Sequence, residues 1–315
     1  MRINLLYNFK KILNKFEILI LWHKKIEVNL FLLNKKDIQI KSILLYFPDY
    51  EMMHYGDHLF FEPLARILRL KGYQLYITPI NTMEFYFKNL GYKIAKKETI
   101  NKVDLIITKV EFLKDFKKNK NQVMLIDTAN PKIQLPLCND IIEKVCRFLK
   151  NDFNIYDSIP SYFYDENSTL SCLNKNDNYI IFNNYIDSGS IRSGAKHQNL
   201  IINFIIKLKN DTGCKIIHTG SSNDKNMDQR DYDFVDIDMR GTTSIKQLFN
   251  LCSLDNVLYN VSFDGFQMHL FLIQKKKSFI LFRGRFLKKN EDFIKKYVNP
   301  PFFLKNAQNI IEYID

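Results

Sequence analysis

The sequence has no Cys-x-x-Cys pair. Its five cysteines, Cys138, Cys146, Cys172, Cys214 and Cys252, are scattered and odd in number. That is the pattern of reduced thiols in a cytoplasmic protein rather than of a disulfide framework. No apolar run approaches the ~18–20 residues of a membrane span. The opening MRINLLYNFKKILNKF is interrupted by Lys and Asn too often for a signal-peptide core, and no small-residue cleavage site follows it. No RNA-recognition, helix-turn-helix or zinc-finger spacing is present, which leaves a nucleic-acid partner without a motif. Tryptophan occurs once, at Trp22, and there is neither an internal repeat nor a low-complexity tract.

The chain has 315 residues, of which 46% are hydrophobic and 25% charged. At roughly 100–200 residues per domain this predicts two folded domains rather than a disordered chain. The formal net charge is +12 and the isoelectric point about 9.2. Such a balance favours polyanionic partners, here an anionic lipid surface or a phosphorylated glycolipid. Residues 1–40 stand apart as a basic extension. Leu5, Leu6, Phe9, Ile12, Leu13 and Phe16 recur at helical spacing with Lys10, Lys11 and Lys15 between them. This amphipathic pattern suits a helix packed on a domain surface or a peripheral contact with the inner face of the inner membrane.

Strand-like and helix-like segments alternate after that. Ser42–Phe47, Gln74–Thr78, Val103–Thr108 and Gln122–Asp127 read as strands, with helices over Leu59–Lys71 and Met83–Asn89. Tyr164–Asn178 is polar and reads as a crossing between domains. The alternation then restarts: strands at Tyr179–Asn183, Lys215–His218, Phe234–Ile237, Asn256–Val261 and Ser278–Phe282, helices at Asn199–Lys209, Ser244–Leu251 and Phe266–Gln274. Strands alternating with helices predict βαβ units and parallel sheets. The expected architecture is α/β with two Rossmann-like domains, over 41–165 and 166–315.

Five segments are placed to carry chemistry, because ligands of open α/β sheets bind beyond the carboxyl ends of strands. His54-Tyr-Gly56-Asp57-His58 follows the first strand. Asp57 there reads either as a helix cap or as a carboxylate held for general-base work. His54 and His58 have metal-ligand spacing, but no further ligand cluster accompanies them. Asp264-Gly265-Phe-Gln267-Met268-His269 is a strand–turn–helix junction, and a helix N-terminus is a ready diphosphate site. Asp187–Lys196 is a small-residue loop in which Arg192 and Lys196 offer charge to a phosphate; it lacks the Gly-Lys-Ser/Thr ending of a P-loop. His218-Thr219-Gly220 and Arg240-Gly-Thr-Thr-Ser244 end two further strands. They read as lining for a nucleotide pocket or as ordinary loops, with Ser244 or Thr243 capping the next helix.

Three of these places resemble glycosyltransferase family 9, the ADP-heptose:lipopolysaccharide heptosyltransferases and their relatives. Gly56-Asp57-x-Leu59-x-x-x-Pro63 is similar to the family's Gly-Asp, apolar stretch and following Pro. Arg240-Gly241-Thr-Thr-Ser244-Ile-x-x-Leu248 resembles its L-x-G-x-T-S-L-x-x-L segment. Asp264-Gly-Phe-Gln-Met268-His269-Leu270 followed by Lys277–Phe282 resembles its D-S-G-P-M-H-L-A…K-P-V-V-A-L-F-G segment. The likeness covers about residues 41–300. The turn reads D-G-F-Q-M-H rather than D-S-G-P-M-H, the family's Trp-Pro is absent, and residues 1–40 have no counterpart, which marks a divergent relative.

The resemblance implies a GT-B fold with two sheets facing across a cleft. It also implies an inverting, metal-independent transfer of heptose or a hexose-like sugar onto lipopolysaccharide, capsule or another surface glycan. Asp57 would be the base, and Asp264 would lie near the donor sugar. Gly265, Gln267, Met268 and His269 would form the donor-diphosphate turn, and Lys196 would match a basic loop residue. Apart from the resemblance, the loops themselves add Thr219, Gly220 and Arg192 as candidate pocket residues. The donor is a substrate rather than a cofactor, with an ADP-sugar the first expectation. A nucleotide-sugar epimerase of the same fold and a catalytically silent glycan-binding protein stand as alternatives.

Overall fold

The computed structural model describes residues 31–33, 39–49, 55–109, 112, 115–116, 122–126, 137–164, 173–185, 195–282 and 305–313. The basic amphipathic segment at 5–16, His54 and the Asp187–Arg192 stretch lie outside them. The chain divides into two compact units. One comprises Met1–Tyr50, Leu64–Lys132 and Asp140–Asn154, the other Glu51–Pro63, Ile133–Asn139 and Ile155–Asp315.

The first unit is built on β1 (Phe31–Leu33), β2 (Ser42–Tyr46), β3 (Gln74–Thr78), β4 (Lys93–Ile94), β5 (Leu105–Lys109) and β6 (Gln122–Ile126). They order as β1-β6-β5-β2-β3-β4. All pairs are parallel except β1 on β6, so Phe31–Leu33 belongs to this sheet as an antiparallel edge strand although residues 1–40 read as a separate extension. Ile43, Leu44, Leu45, Leu105, Ile106 and Ile107 are wholly buried, which is why these strands read as continuous apolar runs. The crossovers are α1 (Tyr55–Leu70) and α2 (Glu84–Asn89). After β6 comes α3 (Leu137–Phe148), a helix with no counterpart in the sequence reading. Its Ile141, Ile142, Val145 and Cys146 form one buried stripe at helical spacing.

Asp104 clamps the start of this sheet. Its Oδ2 accepts from the Lys41 and Ser42 amides, both at 2.9 Å, and from the Ser42 hydroxyl at 2.8 Å. Burial works against the ionised carboxyl, but those bonds outweigh it and its pKa is lowered.

The second unit carries β7 (Tyr179–Phe182), β8 (Lys215–His218), β9 (Ile237–Asp238), β10 (Val257–Phe263), β11 (Lys277–Leu281) and β12 (Ala307–Asn309), in the order β12-β11-β10-β7-β8-β9. Every pair is parallel. The helices are α4 (Ala195–Thr212), α5 (Ser222–Met227), α6 (Ile245–Ser253) and α7 (Phe266–Ile273). Ile201, Phe204 and Ile205 of α4 pack on Ile180, Phe182, Val261, Phe279 and Leu281 to form the core on one face. The strand expected over Phe234–Ile237 is shorter than read, because Phe234 and Val235 pack on that core from a loop and pairing begins at Ile237. Ser244 caps α6 as its sequence suggests, its Oγ accepting from the Gln247 amide at 3.2 Å while Gln247 Oε1 takes the Ser244 amide at 2.9 Å.

Among the described residues no helix is long and apolar enough to cross a membrane. Asp104→Ala removes the acceptor shared by three donors and is expected to cost about 1–3 kcal/mol, read as a lower urea midpoint with an unchanged slope.

Candidate functional site at the carboxyl edge of the second sheet

In the second sheet β8 and β9 lie to one side of β7, and β10, β11 and β12 to the other. The chain therefore reverses its direction of travel between β7 and β10, and the crevice beyond their carboxyl ends is where a doubly wound sheet binds ligand. Four chain ends meet along this edge: Asn183-Asn184 after β7, Thr219-Gly220 after β8, Arg240-Gly241 after β9 and Asp264-Gly265 after β10.

Hydrogen bonds fix these ends to one another. Asn183 Nδ2 donates to the Thr219 carbonyl at 2.9 Å, and the Gly241 amide to the Gly220 carbonyl at 2.9 Å. Gly241 has φ +73°, and a Cβ there would stand 3.3 Å from the Ser222 Cα. Glycine is therefore required by both backbone and space. Gly220 is held by space alone, since a Cβ would meet Asp224 Oδ2 at 3.0 Å.

Gln267 ties two of the ends together from below. Its Oε1 accepts from the Thr219 hydroxyl at 2.8 Å, and its Nε2 donates to Asn260 Oδ1 at 2.8 Å. Asn260 in turn donates to the Ser262 hydroxyl at 3.1 Å. All four residues are buried. The Thr219 and Gln267 side chains, expected to line a donor pocket, are engaged in holding the loops. Met268, expected at the same pocket, is 1% exposed and packs with Leu272, Ile280 and Phe282.

Among the described residues, the Asp264–Phe266 stretch is partly open at this edge. Gly265 is the N-cap of α7 in an extended conformation and, as glycine, brings no side-chain cap of its own. The first N–H groups of a helix point out of its end, and with the positive end of the dipole they suit an anion. Asp264, Gly265 and Phe266 are partly exposed. Lys196 lies in the first turn of α4, and Arg192 falls outside the described residues.

A polar cluster missed by the sequence reading sits beside this edge. Asp228, 4% exposed, accepts from Asn184 Nδ2, Tyr232 Oη and Arg230 Nε, each at 2.7 Å. Burial opposes its charge, but bonds from Arg230, Tyr232 and Asn184 prevail and draw its pKa down to about 2. His218 Nε2 is 2.9 Å from Asn184 Oδ1, so that nitrogen carries the proton. Burial, then the nearby Arg240 charge, brings the His218 pKa down to about 3. Arg240, 3% exposed, grips Asp238 at 3.0 and 2.9 Å and donates to the Asp228 carbonyl at 2.6 Å. The run Asp228-Gln-Arg-Asp-Tyr232 looks like a solvated stretch, and only its contacts reveal it as a brace for β7 and β8.

Asp57 is not a cap. Helix α1 starts at Tyr55, four residues before the expected start, which places Asp57 in its first turn, partly exposed. A carboxylate in that position is favoured by the helix dipole. Residues 51–63 group with the second unit. Tyr55 lies against Phe266 with centroids 5.4 Å apart, and Phe60 meets the His269 ring edge to face at 5.1 Å. A Cβ on Gly56 would be 3.4 Å from His269 Cδ2. Gly56-Asp57 and the Asp264–His269 turn, some 200 residues apart in sequence, are therefore neighbours. His58 is wholly buried, its ring edge-on to Phe61.

No family model matches the sequence, and no curated protein matches it either. Solved structures do. A family 9 glycosyltransferase from Veillonella parvula DSM 2008 superposes with a TM-score of 0.57 at 15% identity, over 87% of this chain and 88% of that one. The ADP-heptose LPS heptosyltransferase II of E. coli gives 0.52 at 13% identity, over 85% and 89%. The chain has the fold of these glycosyltransferases, α/β of GT-B type.

His218 stays neutral in the folded protein while the unfolded chain takes a proton near pH 6.5, so stability falls as pH drops from 6.5 toward 3. The Asp228 carboxylate acts in the same sense, its contribution lost as pH falls below about 4. His218→Gln keeps a donor for Asn184 without a titrating ring. Its urea midpoint is expected to change less between pH 7 and pH 4.5 than that of the wild type.

Proposed function

We propose that the chain is a glycosyltransferase that moves a sugar from a nucleoside-diphosphate donor to a hydroxyl of a surface glycan, with inversion. The observation that carries this reading is the proximity of a partly exposed carboxylate turn, Gly56-Asp57, to the glycine-started N-terminus of α7 in a chain with this fold. The donor diphosphate would be held by backbone N–H groups at Gly265–Met268, where the helix dipole offsets its charge. Asp264, partly exposed beside that turn, would accept hydrogen bonds from donor sugar hydroxyls.

The chemistry follows from the placement. Asp57 takes the proton of the acceptor hydroxyl, and the oxygen attacks the anomeric carbon from the face opposite the diphosphate. The bond from that carbon to the diphosphate oxygen breaks as the new one forms, and the nucleoside diphosphate leaves with the electron pair. Negative charge gained by the leaving group is stabilised by the α7 N-terminus and by Lys196 or Arg192. No metal is required by this scheme, because those groups supply the positive charge. An ADP-sugar is the first donor to try, since the E. coli protein of like fold is named for ADP-heptose. The net charge of +12 suits a phosphorylated lipopolysaccharide or capsule acceptor at the inner face of the membrane.

Thermal-shift titration with ADP-, GDP-, UDP- and CMP-sugars is expected to single out one nucleotide class. Ligand at about 100 times its Kd adds about 2.7 kcal/mol to the native state. Asp57→Asn should keep that shift while transfer falls about 10²–10⁴-fold. Unchanged turnover in Asp57→Asn would refute the base. Nucleotide binding with no turnover on any acceptor would identify a silent binding protein instead.

A further inference from the structure

The first nine residues of α1, Tyr55 to Pro63, group with the second unit, while Leu64 onward groups with the first. Pro63 has no N–H to donate to the Leu59 carbonyl, so the helix lacks a bond where its membership changes. What fastens the Tyr55–Pro63 segment is therefore the question its sequence raises.

Two faces answer it. Gly56 and Phe60 are four apart on α1, and Phe266 and His269 three apart on α7, so each pair projects from one side of its helix. Phe60 presents its ring to His269 at 5.1 Å with the planes 79° apart, and Tyr55 stacks obliquely on Phe266 at 5.4 Å. Phe266 continues to Phe249 at 6.0 Å, and Phe249 to Tyr162 at 5.3 Å, which roots the row in the second unit. Glu62, 1% exposed, adds a polar tie by accepting from the Ser161 amide at 2.7 Å. Position 56 is limited in size. A methyl would just touch the His269 ring at 3.4 Å, and a branched side chain would displace it. His269 is 7% exposed, with its ring sandwiched by these neighbours rather than presented to solvent.

We infer that Phe60 and His269 are positioning residues: their edge-to-face contact, with Gly56 against the same ring, sets Asp57 relative to the N-terminus of α7. This rests on the reading of Asp57 as the base. The imidazole acts through its packing, and the distance it maintains is the one between the proton acceptor and the departing diphosphate. A base shifted by an ångström loses the aligned approach on which the displacement depends.

The test is a double-mutant cycle on the full chain with Phe60→Ala, His269→Ala and the pair, read in two ways. Deuterium uptake is followed in peptides covering 55–63 and 64–70 without ligand. Turnover and donor KM are measured with the nucleotide sugar that the wild type consumes. Each single variant is expected to speed exchange of 55–63 roughly tenfold while sparing 64–70, and the pair should be no worse than either alone. The kcat should fall about 100-fold with donor KM nearly unchanged. Gly56→Val is expected to mimic these losses, and adding His269→Ala to it should recover part of them, because the valine fills the vacated space.

Additive exchange effects, unchanged exchange of 55–63, or a raised KM at constant kcat would each overturn the inference; the last would make His269 a donor ligand. If the wild type consumes no nucleotide sugar, the transferase reading fails, and the exchange cycle alone then decides whether the ring contact holds the segment.

Discussion

Gln267 spends both ends of its amide inside the second sheet, one on the Thr219 hydroxyl and one on Asn260. Everything proposed for the carboxyl edge depends on that pair of bonds. A buried amide with either end unpaired would cost a few kcal/mol, so the loop after β8, the strand β10 and the first turn of α7 are locked into one arrangement. The turn that would receive a diphosphate is restrained because Gln267, the second residue of α7, is tied down below it.

A second brace works beside the first. Asp228, Arg240 and His218 bind loop carbonyls and the Asn184 side chain, joining the ends of β7, β8 and β9. These charges are buried and matched, and removing one partner leaves the others unsatisfied. Among the described residues, the carboxyl edge is thus held by two polar networks.

Much of the fold is legible in the sequence. Lys215–His218 and Gln74–Thr78 match their expected bounds to the residue, because each is a short run with buried apolar residues between polar breaks. Helix α3 escaped because its charged and polar residues mask a narrow apolar stripe. Phe234 and Val235 look like a strand yet serve the core from a loop. At the site, the Gly56-Asp57 and Asp264–His269 segments were recognisable, but their contact was not, since only the folded chain brings Phe60 to His269. Thr219, Gln267 and Met268 read as pocket lining, and nothing in their sequence shows the side-chain bonds and packing that bury them. Asp228 gave no signal at all, its partners Asn184 and Tyr232 being 44 and 4 residues away.

The most direct check of the account is to locate bound nucleotide. Amide exchange of the full chain with and without saturating ADP, or whichever nucleotide raises the melting temperature, reads the site segment by segment. The account expects slowed exchange centred on Gly265–Met268, with a smaller effect at Thr219-Gly220. Saturating nucleotide that protects another region, and leaves the start of α7 unchanged, would contradict it.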